Sequence, residues 1–248
     1  LRRCAPPLET PDCVSRRRVV SSMNDSHAVS GGQGLGDLAA QLPDNRIPRQ
    51  PIAVDRNLKT GGQDREALDV VGVLVRDEDA YGNICHTFSI DGPLTSLRIL
   101  VEGEIDTSSQ AGMVKGTLER FPPGYWLGHT PLTEPTTDLA EFAADLSGQE
   151  GGDPLAYLHL LNATIHRDFG FQIGETHAAT KASEAFRVKT GVCQDFAHIF
   201  CAAARAMGTP ARYVSGHLFR RDGLAEQPAA HAWTEAHVEG FGWIGFDP

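Results

Sequence analysis

Cys193, His231 and Asp247 carry side chains that could together form a nucleophile, its base and a group that orients the base. A cysteine attacks as its thiolate, so it needs a base to hold its proton and a further group to orient that base. Cys193 opens the stretch CQDFAHIFCAAARAM. Phe196, Ile199, Phe200, Ala203, Ala204 and Met207 recur there at the three- and four-residue spacing of one buried helix face. Gly208, Thr209 and Pro210 end the helix. Cys193 therefore sits at a helix N-terminus, where unpaired backbone N–H groups and the helix dipole favour an anion. The carboxylate of Asp195 works against that, so a basic partner would help. Cys201 lies mid-helix among alanines and reads as structural.

The partner is sought in HAWTEAHVEGFGWIGFDP. His231, Trp233, Glu235 and His237 alternate with Ala232, Thr234 and Ala236, the pattern of a strand with two different faces. Val238–Gly240 fits a three-residue hairpin loop with Gly240 in the left-handed region. That register pairs His237 with Phe241, Glu235 with Trp243 and His231 with Asp247, whose Cβ atoms would be about 5 Å apart. Asp247 could then orient the imidazole towards Cys193. A slip of one residue would move Asp247 to the far face. Singly, His231 could be a surface histidine and Asp247, before Pro248, a turn former. His231, Glu235 and His237 could instead hold zinc, but they lack a strong ligand spacing, and no metal is expected. His198 and His217 read as core or rim histidines.

The rest of the chain must position these groups. With 248 residues, 41% hydrophobic and 22% charged, it is of globular composition and long enough for one large or two small domains. A net charge of −10 argues against a nucleic-acid surface, and no apolar run reaches the roughly 18 residues of a membrane span. The five cysteines, Cys4, Cys13, Cys85, Cys193 and Cys201, form no disulfide-like framework. A reducing compartment, and hence the cytoplasm, is the default.

Residues 1–68 lack a sustained period and read as irregular. Residues 69–134 read as a small β region, with strands at Val70–Val75, Cys85–Ile90 and Leu97–Glu102. The Pro/Gly-rich FPPGYWLGHTPLTEP then reads as a linker. Gly103 marks a bulge or strand end. Residues 135–248 are mostly helical before the final hairpin. Thr137 is a candidate N-cap, and Asp153 with Pro154 starts the next helix. Leu155, Leu158, Leu161, Ile165 and Phe169 form its stripe, with Gly170 as its stop. A short helix over Ser183–Arg187 precedes Cys193. The chain opens on Leu1 and stops in a strand-like pattern at Pro248, which reads as a truncated fragment.

The blocks GVCQDFAHIFCAAARAMGTPARYVSG and HAWTEAHVEGFGWIGFDP closely resemble the bacterial transglutaminase-like family of the papain-like cysteine hydrolase group. DAYGNICHTFSIDGPLTSLRILVEGEIDT is similar to its N-terminal β region, so the resemblance spans roughly Asp79–Pro248. Residues before about 69, and His217 where the family commonly has Tyr, depart from the pattern. The resemblance implies an α+β fold in which a nucleophile at a helix N-terminus packs on an antiparallel sheet. By position it makes Cys193 the nucleophile, His231 the base and Asp247 the orienting acid, acting through a thioester acyl-enzyme without cofactor. The Cys193 backbone N–H would be the first oxyanion donor, with Gln194 and Trp126 candidates for the second.

The expected function is thus a cysteine-dependent amide hydrolase or acyltransferase acting on a peptide or protein amide. Nucleic acid and membrane are not expected partners. The rival is a non-catalytic peptide- or protein-binding module on the same fold.

Overall fold

The computed structural model describes the backbone of residues 15–25, 75–87, 97–107, 110–216, 226–227 and 230–248, with side chains at 78–83, 110–216 and 230–248. His217, Val70–Leu74 and Phe88–Ile90 lie outside the described residues. In chain order the strands are β1 (Ser15–Asp25), β2 (Val75–Glu78), β3 (Ile84–Thr87), β4 (Leu97–Thr107), β5 (Gly170–Phe171), β6 (Thr190–Gly191), β7 (Ala211–Gly216), β8 (Glu226–Gln227), β9 (His231–Val238) and β10 (Gly242–Phe246). The α-helices are α1 (Thr137–Gln149), α2 (Pro154–Asp168), α3 (Ala182–Val188) and α4 (Cys193–Ala206). The fold class is α+β, as the resemblance implied. No described helix is long and apolar enough to cross a membrane.

The chain divides into two compact units, each built from two stretches of sequence. One unit takes Leu1–Ser109 together with His217–Ala230. In it β1 pairs antiparallel with β4 from Ser15–Thr107 to Asp25–Leu97, and parallel with β8 at Val20–Glu226. Ser15–Asp25 is therefore strand where an irregular segment was expected. Its apolar residues are too few to show a period, and the ladder to β4 supplies the structure instead. Gly103 pairs with Val19 inside the unbroken ladder, so it neither bulges nor ends the strand. The turn between β2 and β3 is built on Asp79, whose Oδ1 accepts from the N–H groups of Tyr81 and Asn83 at 2.8 Å each.

The second unit comprises Gln110–Gly216 and His231–Pro248. Within it residues 121–135 were expected to be linker, yet they and the residues before them are bound in. Val114 N–H donates to Trp243 at 2.8 Å, and Gly245 N–H donates to Gly112 at 2.9 Å. Ala182 N–H donates to Leu132 at 2.8 Å. Proline and glycine limited regular structure here without preventing packing.

Thr136, rather than Thr137, is the N-cap of α1. Asp153 caps α2 as expected, its Oδ1 accepting from Leu155 and Ala156 N–H groups at 2.9 and 3.2 Å. Helix α2 ends with Phe169 in an extended conformation while Gly170 begins β5, so Gly170 is not a left-handed stop. Leu158, Leu161 and Ile165 are fully buried and meet α4, whose Phe196, Ile199, Phe200, Ala203 and Ala204 form its inner face. The antiparallel sheet β10–β9–β7 closes the other side. Ala236, Ile244 and Phe246 turn into this core, where Phe200 stacks on Phe246 at 5.1 Å between centroids.

Buried Arg205 fixes the end of α4 against the start of β7. Its Nε and Nη2 donate to the Ala211 carbonyl at 2.9 and 2.8 Å, and Nη1 donates to Thr133 Oγ1 at 2.8 Å. The opposite end of α4 is thereby aimed at the beginning of β9.

Candidate active site

Cys193 is the first residue of α4 and is partly buried. His231 is the first residue of β9, and Asp247 follows directly after β10. His231 Nε2 lies 3.0 Å from Asp247 Oδ1. The His231 ring acts on the Cys193 thiol through hydrogen bonding and charge, and since Nε2 is engaged by Asp247, Nδ1 is the nitrogen that remains for it. The backbone N–H groups of Ala232 and Gln194 also favour charge on the sulfur.

The hairpin register differs from the expected one. Val238 pairs with Gly242 and Phe246 with Thr234, so the three-residue loop is Glu239–Phe241. Gly240 (φ 83°) and Gly242 (φ 82°) both occupy the left-handed region. The turn centre moves by one residue, which shifts the pairing by two and leaves every side chain on its expected face. Asp247 is consequently a diagonal neighbour of His231, across from Trp233 rather than directly opposite the histidine. A diagonal pair remains within reach on one face.

Electrostatics favour an ion pair. Burial pushes the Cys193 thiol up, but the hydrogen bond and charge of His231 and the N–H groups of Ala232 and Gln194 outweigh it, leaving the thiol below its ordinary value. The hydrogen bond to Asp247, then that to Cys193, raises His231 to about 10 despite burial. Both shifts act in one direction, towards a proton on the imidazole and charge on the sulfur. Cys201 is opposite in character: complete burial pushes its thiol up to about 12.

Of the oxyanion candidates, Gln194 is beside the thiol, but its side-chain amide points away. Nε2 lies 3.4 and 3.3 Å from the carbonyls of His177 and Ala178, so only the backbone N–H of Gln194 faces the sulfur. Trp126 is not at the site. It packs edge-on against Trp243 at 6.2 Å, and Trp243 pairs with His237. That is six positions along β9 from His231, or roughly 20 Å. The Pro/Gly context of Trp126 gave no indication of which sheet end it would join.

No group of three His, Cys, Asp or Glu side chains among the described residues is arranged to hold a metal. Glu235 is bound to Arg212 at 2.7 Å, and His237 packs on Trp243. His198 is buried against Tyr213, with ring centroids 5.0 Å apart. Its Nδ1 has no hydrogen-bond partner among the described residues, so it is a core histidine but not a fully satisfied one.

Two residues near the thiol were not singled out as site residues from the sequence. Tyr213 is raised to about 12 by burial and by the negative charge of Cys193, whose field it therefore senses. Asp195, read as an opposing charge, is nearly fully buried and accepts two hydrogen bonds through Oδ2. An acidic residue at the third helical position is a recognisable capping signal, and it was available in the sequence.

This helix-start cysteine, joined to a strand histidine and an aspartate, lies within residues 141–248, which match the family model of the transglutaminase-like superfamily. The chain carries a transglutaminase-like domain. A candidate cysteine protease from Cytophaga hutchinsonii has a similar crystal structure, with a TM-score of 0.63 at 18% identity over 95% of this chain and 77% of that one. Uncharacterized proteins of Mycobacterium tuberculosis and Mycobacterium bovis are 28% identical over 90% of this chain and 74% of their own length. A Mycobacterium leprae protein is 27% identical over 68% of this chain and 64% of its own.

Proposed function

We propose that this protein breaks amide bonds of peptide or protein substrates through a Cys193–His231–Asp247 triad and a thioester acyl-enzyme. The observation that carries the reading is the chain of contacts from thiol to imidazole to carboxylate, with Asp247 3.0 Å from His231. The Cys193 thiolate attacks the carbonyl carbon, and the carbonyl π electrons move to oxygen. The backbone N–H of Cys193, which has no partner a turn earlier in α4, is placed to receive that oxygen. The oxyanion then collapses, the C–N bond breaks, and imidazolium gives its proton to the leaving nitrogen. Asp247 holds the ring in place and stabilises its charged form throughout.

The thioester is released by water, whose proton returns to His231 as the acid forms and sulfur leaves. A second amine in place of water would give transamidation. The test is release of free amines from a casein digest and from a library of blocked peptides, with and without added glycine ethyl ester. Cys193-dependent release supports the hydrolase arm, and Cys193-dependent ester incorporation the transferase arm. No turnover with any amide, in a folded protein that retains peptide binding, would favour the non-catalytic module.

A further inference from the structure

Asp195 stands two residues after the proposed nucleophile, and burial has removed it from water. A carboxylate there costs stability unless it is engaged. Its Oδ2 accepts from Val192 N–H at 2.8 Å and from Thr176 Oγ1 at 2.6 Å. Val192 is the residue before the helix, so one bond ties the first turn of α4 back to its own entrance. The other ties that turn to the loop after β5.

The fit is close. A Cβ built on Gly191 would lie 2.7 Å from Asp195 Oδ2 and 2.9 Å from its Cβ. Gly191 is therefore required for its lack of a side chain, because the aspartate fills the space. Strand β6 pairs Gly191 with Phe171, and Gln172 N–H donates to the Gly191 carbonyl at 2.8 Å. The segment entering Cys193 is thus held from both sides.

We infer that Asp195 is a positioning residue: through Thr176 and Val192 it fixes the backbone N–H groups and the thiol of Cys193 against His231. This inference rests on the proposed chemistry at Cys193 and assigns a role in it to a residue that does not touch the reacting atoms. The Oδ1 atom has no hydrogen-bond partner among the described residues, which makes the role separable from charge. An asparagine can place its carbonyl where Oδ2 accepts both bonds and its amide where Oδ1 lies. Asp195→Asn removes the charge and keeps the bonds, whereas Asp195→Ala removes both. Thr176→Val removes one bond from the loop side alone.

The test measures two quantities on the full chain: iodoacetamide alkylation of Cys193 against pH, followed by mass spectrometry, and kcat and KM on an amide that the parent cleaves. The groups that act on the thiol in the parent are His231 and the backbone N–H groups of Ala232 and Gln194. Displacements of about 1 Å in a catalytic constellation cost up to roughly 100-fold. Asp195→Ala should therefore lower kcat by roughly 10- to 100-fold with KM little changed. It should also flatten the alkylation profile towards that of an ordinary thiol. Asp195→Asn should rescue kcat to near the parent value and move the alkylation midpoint to lower pH, since a negative charge near the thiolate has gone.

A folded Asp195→Ala protein with parental kcat and alkylation would overturn the inference. So would an Asp195→Asn protein as impaired as Asp195→Ala, which would place the effect in the charge. If Asp195→Ala does not fold, Thr176→Val decides: a lowered kcat with unchanged KM supports positioning, and a parental kcat refutes it. A parent that cleaves no amide would defeat the proposed function instead. The alkylation profiles would still decide whether Asp195 positions the thiol.

Discussion

His231 and Asp247 meet across the hairpin as diagonal neighbours, with Nε2 to Oδ1 at 3.0 Å, although Phe246–Thr234 is the last laddered pair. Asp247 thus reaches the imidazole from just beyond the sheet, and its side chain is more exposed than that of His231. Asp247→Asn should leave the fold intact, because the carboxylate is no part of the core. It should lower turnover by roughly 10²–10⁴-fold, and His231→Ala by at least as much. Steady-state rates with circular dichroism as the folding control test this. A folded Asp247→Asn protein of parental rate would show that the aspartate does not serve the histidine.

The pH dependence follows from the two shifts. Thiolate is present above the lowered Cys193 value, and imidazolium is present below about 10. Turnover should therefore rise from a midpoint below the ordinary thiol value of 9.0 and fall as pH passes about 10. The same sign governs stability. A histidine raised from 6.5 contributes fully below that value and loses its contribution as pH rises through about 10. In Asp247→Ala, the alkaline limb of turnover should move to lower pH. An alkaline limb unmoved by that substitution would assign it to another group.

Arg205 should matter for folding without touching the chemistry. It is buried and donates three hydrogen bonds that join α4 to Ala211 and Thr133. Arg205→Met removes the charge while filling similar space, and should lower the unfolding free energy by about 1.5–3 kcal/mol. Urea unfolding at constant m-value reads this directly. A change below about 0.5 kcal/mol, the scale of an ordinary surface substitution, would show that the three bonds are replaceable.

Trp126 gives a prediction of the opposite kind. It packs against Trp243, and Arg212 lies 4.1 Å over the Trp243 ring while binding Glu119 and Glu235. Trp126→Phe should therefore change stability modestly and leave kcat within about 3-fold, because this cluster lies at the other end of β9 from His231. A loss of roughly 10²–10³-fold, the scale seen when an oxyanion donor is removed, would restore Trp126 to the site.

The parts of this fold legible in the sequence were those with a period. The stripe from Phe196 to Met207 fixed α4 and hence the place of Cys193, and the alternation from His231 to His237 fixed the faces of β9. The hairpin register was missed by a one-residue movement of the turn, because Gly240 and Gly242 both permit the left-handed region. The faces survived because an even shift preserves them. Long-range pairings were not legible: nothing local to Ser15–Asp25 indicates that it will run against Leu97–Thr107. Trp126 failed for the same reason, since its partner is more than a hundred residues away in sequence. Asp195 failed differently. Its charge is legible in the sequence, but its hydrogen bonds depend on Thr176 and on the absence of a side chain at Gly191.

The central claim is that Cys193 is held as a thiolate by His231. Its most direct test is the rate of iodoacetamide alkylation at each cysteine of the folded chain near neutral pH, with the denatured chain as reference and His231→Ala as comparison. Cys193 should react at least several-fold faster in the folded parent than in the denatured chain, and lose that advantage in His231→Ala. Cys201, pushed up to about 12 by burial, should stay unlabelled until the chain unfolds. A Cys193 that reacts no faster folded than unfolded, or equally fast with and without His231, would contradict the account.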